Sequence, residues 1–116
     1  MHELSVVKSM VETVEKHAEL NGVSRVREIS LEIGELTYIV EDLLLKTYYY
    51  FRKGTICEDA SISIEWQPGI VRCTDCSMIF TVGQRDVLKF ICPNCGNNII
   101  NVVSGNDFII NSITAD

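Results

Sequence analysis

Cys73-Thr74-Asp75-Cys76 and, 15 residues further on, Cys92-Pro93-Asn94-Cys95-Gly96 decide how this chain is read. Each pair leaves two residues between its thiols. That spacing closes a tight turn aiming both sulfurs at one point, and a second such turn completes a tetrahedron, as in four-cysteine zinc sites. Gly96 stands just after the second knuckle, where such turns often need a positive φ; the first knuckle has Ser77 there instead. A closed set of four thiolates leaves no open position for substrate, so Cys73, Cys76, Cys92 and Cys95 are expected to hold a structural Zn(II). An iron site of the same spacing, or a redox pair of dithiols, is the alternative. The dithiol reading lacks the βαβ setting it requires.

The sequence on either side of these knuckles is patterned differently. Leu4, Val7, Val11, Val14 and Ala18 recur at three- and four-residue intervals, which predicts a helix starting almost at the first residue and stopping at Asn21-Gly22. From Arg27 to Ile33 the pattern alternates, with Ile29, Leu31 and Ile33 on one face and Glu28, Ser30 and Glu32 on the other, as in a half-buried strand. Val40 to Lys53 reads as a second helix, with Leu44, Tyr48 and Phe51 on its apolar face. Ser61–Trp66 and Phe108–Ile113 are further strands, and short strand-like pieces lie around Met78–Val82 and Val87–Ile91. The expected fold class is α+β: two helices on a three-stranded sheet, with an inserted zinc-ribbon lobe built on the four cysteines. Residues 1–66 plus 105–116 form the first domain, and 67–104 the zinc-binding lobe.

Composition narrows the function classes. Sixteen Asp and Glu against ten Lys and Arg give a net charge of −6, a surface that repels phosphate backbones, so no nucleic-acid partner is expected. No apolar run reaches the roughly 18 residues that would suggest a membrane span. The opening lacks a basic segment followed by an apolar one, so no signal peptide is read and the cytoplasm is the expected location. Four of five cysteines paired as CxxC in such a chain point to metal rather than to a disulfide frame. No nucleophile elbow, phosphate loop or HExxH is present, and the chain is read as a non-enzyme. His17 reads as a solvent-facing helix residue, Cys57 as a free, half-buried thiol, and Glu28 with Glu32 as a solvated face.

Met1-His2-Glu3 carries a second metal signal. The amine of Met1, the amide nitrogen of His2 and the His2 imidazole can close fused chelate rings on one ion, and the Glu3 amide can supply a fourth nitrogen. A plane of four nitrogens suits Ni(II) or Cu(II) and not the tetrahedral preference of Zn(II). Taken alone, a histidine at position 2 is more often an exposed terminal residue.

Met1-His2-Glu3-Leu4-Ser5 resembles the opening of the HypA/HybF nickel chaperones. Leu31-Glu32-Ile33-Gly34-Glu35-Leu36 resembles their strand motif, and Gly54-Thr55, Ala60, Ile62, Ile64, Glu65 and the two CxxC knuckles follow in order. Departures from the family pattern are Glu41-Asp42 before the second helix, Tyr48-Tyr49-Tyr50 within it, and Asn106-Asp107-Phe108. The resemblance implies Ni(II) at the amino terminus, with His2 as its indispensable ligand and Met1 and Glu3 beside it, and Zn(II) on the four cysteines. It implies delivery during [NiFe]-hydrogenase maturation, and urease maturation in some members. The implied partners are a maturation GTPase, the hydrogenase large subunit and, for those members, urease maturation proteins. A monomer is expected, with a weak dimer through an exposed sheet edge as the alternative. The competing function is a zinc-ribbon protein-interaction module without a nickel role.

Overall fold

In the computed structural model, residues 3–83, 91–98 and 100–116 are described. Helix α1 spans Glu3–Leu20, strand β1 Val26–Gly34, a 3-10 turn Glu35–Thr37 and helix α2 Glu41–Phe51. Strands β2 (Ser61–Gln67), β3 (Gly69–Cys73), β4 (Ile79–Val82), β5 (Ile100–Ser104) and β6 (Phe108–Ala115) follow. They form two three-stranded sheets, β2-β1-β6 and β4-β3-β5, so the cysteine-bearing sheet is inserted in the chain between β2 and β6. The α+β class and the inserted ribbon are as expected.

The backbone gathers into two compact units. The first runs to Glu32 and takes in Ile39–Glu65 and Ile109–Asp116; the second is Ile33–Tyr38 with Trp66–Phe108. In the first unit α1 packs on α2. Val7, Met10, Val11, Val14 and Ala18 are the buried side of α1, facing a core that includes Ile29, Leu31, Leu44 and Tyr48. Leu4 is 55% exposed and does not belong to that stripe; Met10, on the next helical position round, takes part instead. Strand β1 keeps its alternation from Ile29 to Ile33, all three apolar residues being buried. Its partner β6 runs antiparallel to it. The Gly34 N–H donates to the Asp107 carbonyl (2.8 Å), and at the other end the Asp116 N–H donates to the Arg25 carbonyl (2.8 Å).

Helix α2 is shorter than its apolar pattern suggests. Val40 sits outside it as an extended N-cap residue (φ −91°, ψ 118°), and Arg52 closes it. The Tyr48 hydroxyl, fully buried, donates to the carbonyls of Ala60 (2.7 Å) and Cys57 (3.2 Å), fastening the helix to the segment before β2.

In the second unit β3 is the central strand. It pairs antiparallel with β4, Val71 facing Phe80, and with β5, Val71 facing Val102, with a register shift between Ile70 and Val71. Leu36, Val71 and Val82 form its small core, with Phe80 and Ile100 packed against them. The sequence pattern does not predict strands β3 and β5, and β4 begins at Ile79 rather than Met78. Of the expected piece Val87–Ile91, residues 87–90 lie outside the described residues, and Ile91 is not in a strand.

Candidate metal centre

The two knuckles are one backbone design used twice. The Cys73 N–H donates to the Met78 carbonyl (2.9 Å) and the Ser77 N–H to the Cys73 carbonyl (3.1 Å). In the second, the Cys92 N–H donates to the Asn97 carbonyl (2.8 Å) and the Gly96 N–H to the Cys92 carbonyl (2.9 Å). Strand β3 delivers Cys73 at its last position, and β5 returns with Ile100 paired to that same residue.

This folding brings Cys73, Cys76, Cys92 and Cys95 together with all four sulfurs within 4.8 Å of one another. The Cys73–Cys95 and Cys76–Cys92 sulfur pairs are both 3.5 Å apart, and none is in a disulfide. A tetrahedral ion with Zn–S near 2.3 Å needs sulfur–sulfur edges of about 3.8 Å, so the cluster fits zinc. Cys73 and Cys92 are buried and Cys76 and Cys95 exposed, so the cage lies at the edge of its unit.

The electrostatics also call for a cation. The Cys76 N–H, helped by that of Asp75 and by neighbouring thiols, holds the Cys73 thiol down to about 6 against the cost of burial. Cys76 is lowered, first by the Asn94 side chain and then by the Met78 N–H. Cys95 goes the other way, up to about 12. The Asn97 N–H favours its thiolate, but the crowd of Cys73, Cys76 and Cys92, together with burial, outweighs that donor. Four thiolates cannot share this space without a compensating positive charge, and a divalent ion supplies one.

Sequence reasoning overlooked Asn97. Its Nδ2 donates to the Thr74 hydroxyl (3.1 Å) and lies 3.8 Å from the Cys73 sulfur, tying one knuckle to the other. Its only sequence signal is its place directly after Gly96. Among the described residues, the four cysteines are the one cluster of His, Cys, Asp or Glu close enough to share an ion.

Of the amino-terminal set, Met1 and His2 lie outside the described residues. Glu3 opens α1, and its carboxylate accepts the Val40 N–H at 3.0 Å. His17 is exposed on α1, as expected. Cys57 is fully buried rather than half-buried, with its N–H on the Thr55 hydroxyl (3.1 Å) and burial pushing its thiol up to about 11. Packing of the α2–β2 connection around it explains the difference. Among the described residues no helix is long and apolar enough to cross a membrane.

A helix-and-sheet unit continuous with a four-cysteine ribbon defines a small zinc-type metalloprotein of the α+β class. A family model described as hydrogenase/urease nickel incorporation, metallochaperone, hypA matches residues 1–115. The hydrogenase maturation factor HypA of Rhodopseudomonas palustris (strain TIE-1) is 33% identical over 116 residues, covering 100% of both chains. The hydrogenase maturation factor HybF of Escherichia coli O157:H7 is likewise 33% identical over 116 residues with 100% of both covered. The solution structure of the Ni metallochaperone HypA from Helicobacter pylori matches with a TM-score of 0.70 and 28% identity, over 99% of this chain and 97% of that one. The chain belongs to the HypA family of nickel-incorporation metallochaperones, which act in hydrogenase maturation, and its four-cysteine cluster fits a structural zinc site.

Proposed function

We propose that this chain binds one Ni(II) at its amino terminus and hands it on during [NiFe]-hydrogenase maturation, without catalysing a reaction itself. The ligands are the Met1 amine, the amide and imidazole nitrogens of His2, and the Glu3 amide. The observation that carries this reading is the start of α1 at Glu3. The first N–H groups of a helix have no acceptor within it, so an amide at this position can bind a metal without breaking a helical hydrogen bond. Four nitrogens in a plane hold Ni(II) and turn away Zn(II), which goes to the four sulfurs, so the two metals partition between sites. A ligand set built on a chain end can be given up stepwise to a better one. Acid competes for each nitrogen, and affinity falls as pH falls.

Residues 1–66 with 105–116 act as the nickel-binding domain and 67–104 as the zinc-binding lobe, the latter held by Cys73, Cys76, Cys92 and Cys95. The partners are a maturation GTPase, which must be a separate protein because this chain has no phosphate loop, and the hydrogenase large subunit. Urease maturation is a second destination, supported by membership of a family of hydrogenase/urease nickel-incorporation proteins. The setting is cytoplasmic.

Titration of tag-free protein with Ni(II), followed through the weak visible band of planar nickel, tests the reading. Wild type should bind one ion. His2→Ala should bind none and keep its zinc, an extra residue ahead of Met1 should act nearly as His2→Ala does, and His17→Ala should change little. Wild-type nickel affinity in His2→Ala would move the site elsewhere and end this reading.

A further inference from the structure

Side chains of the second cysteine knuckle reach across to the first. Asn97 does most of this. Its backbone belongs to the second knuckle, where its carbonyl accepts the Cys92 N–H at 2.8 Å and its own N–H serves the Cys95 thiolate. Its side chain leaves that knuckle for the first, donating from Nδ2 to the Thr74 hydroxyl at 3.1 Å and standing 3.8 Å from the Cys73 sulfur. One residue therefore serves both sulfurs of the Cys73–Cys95 pair, which come from different knuckles and lie 3.5 Å apart. Asn94, also of the second knuckle, gives its side chain to Cys76 of the first.

The direction of these bonds matters because a tetrahedral and a planar site of four sulfurs differ by one motion. In the tetrahedron the two CxxC thiol pairs lie crossed. Turning one pair about the line between them, until both are coplanar, gives the square. Zn(II) keeps the tetrahedron, whereas Ni(II) favours the plane. A protein of a nickel-handling family thus carries a thiolate cage within reach of the wrong ion. We propose that Asn97, with Asn94 beside it, is a positioning residue that selects zinc over nickel at the four cysteines, by opposing the turn that would flatten the cage. With its backbone locked in one knuckle and its carboxamide bonded to the other, Asn97 is stretched by that turn. Its N–H groups also hold the Cys73 and Cys95 sulfurs where the crossed arrangement needs them, as partners outside the ligand set commonly do. This selection is independent of where the chain carries its nickel.

The test is a competition between the two ions in the full chain, wild type beside Asn97→Ala, Asn97→Asp and Thr74→Val. Zinc-loaded protein is titrated with Ni(II) while released zinc and the near-ultraviolet sulfur-to-nickel absorption are followed. Nickel held by nitrogen lacks that absorption, so the cysteine site is read alone. Wild type should keep its zinc. Asn97→Ala should hold zinc about tenfold more weakly and nickel no more weakly than wild type, so that the affinity ratio moves about tenfold toward nickel. Asn97→Asp, of the same shape but with an anion in place of the donor, should move it at least as far. Thr74→Val, which leaves the Cys73 contact in place, should move it less. A residue that only supports the fold of the lobe would weaken both metals alike and leave the ratio where it was. An unchanged ratio in Asn97→Ala therefore overturns the proposal, and so does a wild type that surrenders its zinc to stoichiometric nickel. If Asn97→Ala takes up neither metal, the ratio is read on Thr74→Val, where the absence of any shift overturns it.

Discussion

Ser77 and Gly96 occupy the same position in the two cysteine knuckles, and both are left-handed, with φ +62° and +77°. Each donates its N–H to the carbonyl of the first cysteine of its knuckle. Glycine adopts this conformation freely, whereas a residue with a Cβ does so at a cost of roughly 1–2 kcal/mol. Ser77→Gly should therefore tighten the zinc lobe by about 1 kcal/mol, and Gly96→Ser should loosen it by a similar amount. Because metal binding and folding of such a lobe are one process, a competing chelator reads both changes. Zinc retained less well by Ser77→Gly would mean that the serine hydroxyl contributes something the backbone geometry does not show.

Gly34 and Gly105 meet backbone to backbone. The Leu36 N–H donates to the Gly105 carbonyl at 2.8 Å, and a Cβ on Gly34 would overlap that same carbonyl. A Cβ on Gly105 would in turn press on the Pro68 carbonyl and lie 2.6 Å from the Gly69 Cα. None of these atoms is the movable end of a side chain. Gly34→Ala should cost about 2–3 kcal/mol by denaturant unfolding, the usual penalty of overpacking. A loss below about half a kcal/mol would show that the crossing can open.

How far the sequence reveals this architecture depends on where the burial lies. In α1 and β1 one face is buried against a full core, so periods of 3.6 and 2 are visible in the residues themselves. In β5, Val102 and Val103 are 50% and 52% exposed, neither face is fully covered, and no period survives. Strand β3 does alternate, but two of its three buried positions are Gly69 and Cys73, which a hydrophobic pattern does not register as core. The cysteine site is legible because ligand spacing is a local property of the chain. Asn97 against Thr74 and Glu3 against Val40 join residues 23 and 37 apart, and only the fold creates those contacts.

Tyr48 offers a pH-dependent test of the helical unit. Its buried hydroxyl donates to Ala60 and Cys57, and burial first, then the nearby Cys57, push its pKa up to about 12 against the opposing pull of Arg52. Tyr48→Phe removes the donor but leaves the Ala60 carbonyl to the Arg52 guanidinium (3.1 Å), so the loss should be about 1–2 kcal/mol. A phenol whose pKa is raised by folding contributes fully below its unfolded value of 10, and that contribution is lost as pH rises toward about 12. Unfolding free energies of the two proteins should therefore converge over that alkaline range. Curves that stay parallel would place the titrating group elsewhere.

Metal removal should separate the five cysteines into two classes. Among the described residues the core of the second unit is Leu36, Val71 and Val82, with Phe80 and Ile100 against it, a small core for a lobe to stand on without a metal. Chelation, or Cys92→Ala, should therefore release hydrogen-exchange protection over β3, β4 and β5 while α1 and α2 keep theirs. In the chelated wild type, Cys73, Cys76, Cys92 and Cys95 become open thiols, whereas Cys57 remains fully buried in the helical unit with its thiol held at about 11, far from the reactive thiolate. Alkylation at neutral pH followed by mass spectrometry should reach a plateau at four adducts, and the fifth should appear only in denaturant. Five adducts forming at one rate would mean that the helical unit itself depends on the metal. Protection persisting over β3 to β5 after chelation would show that the lobe folds on its apolar residues alone.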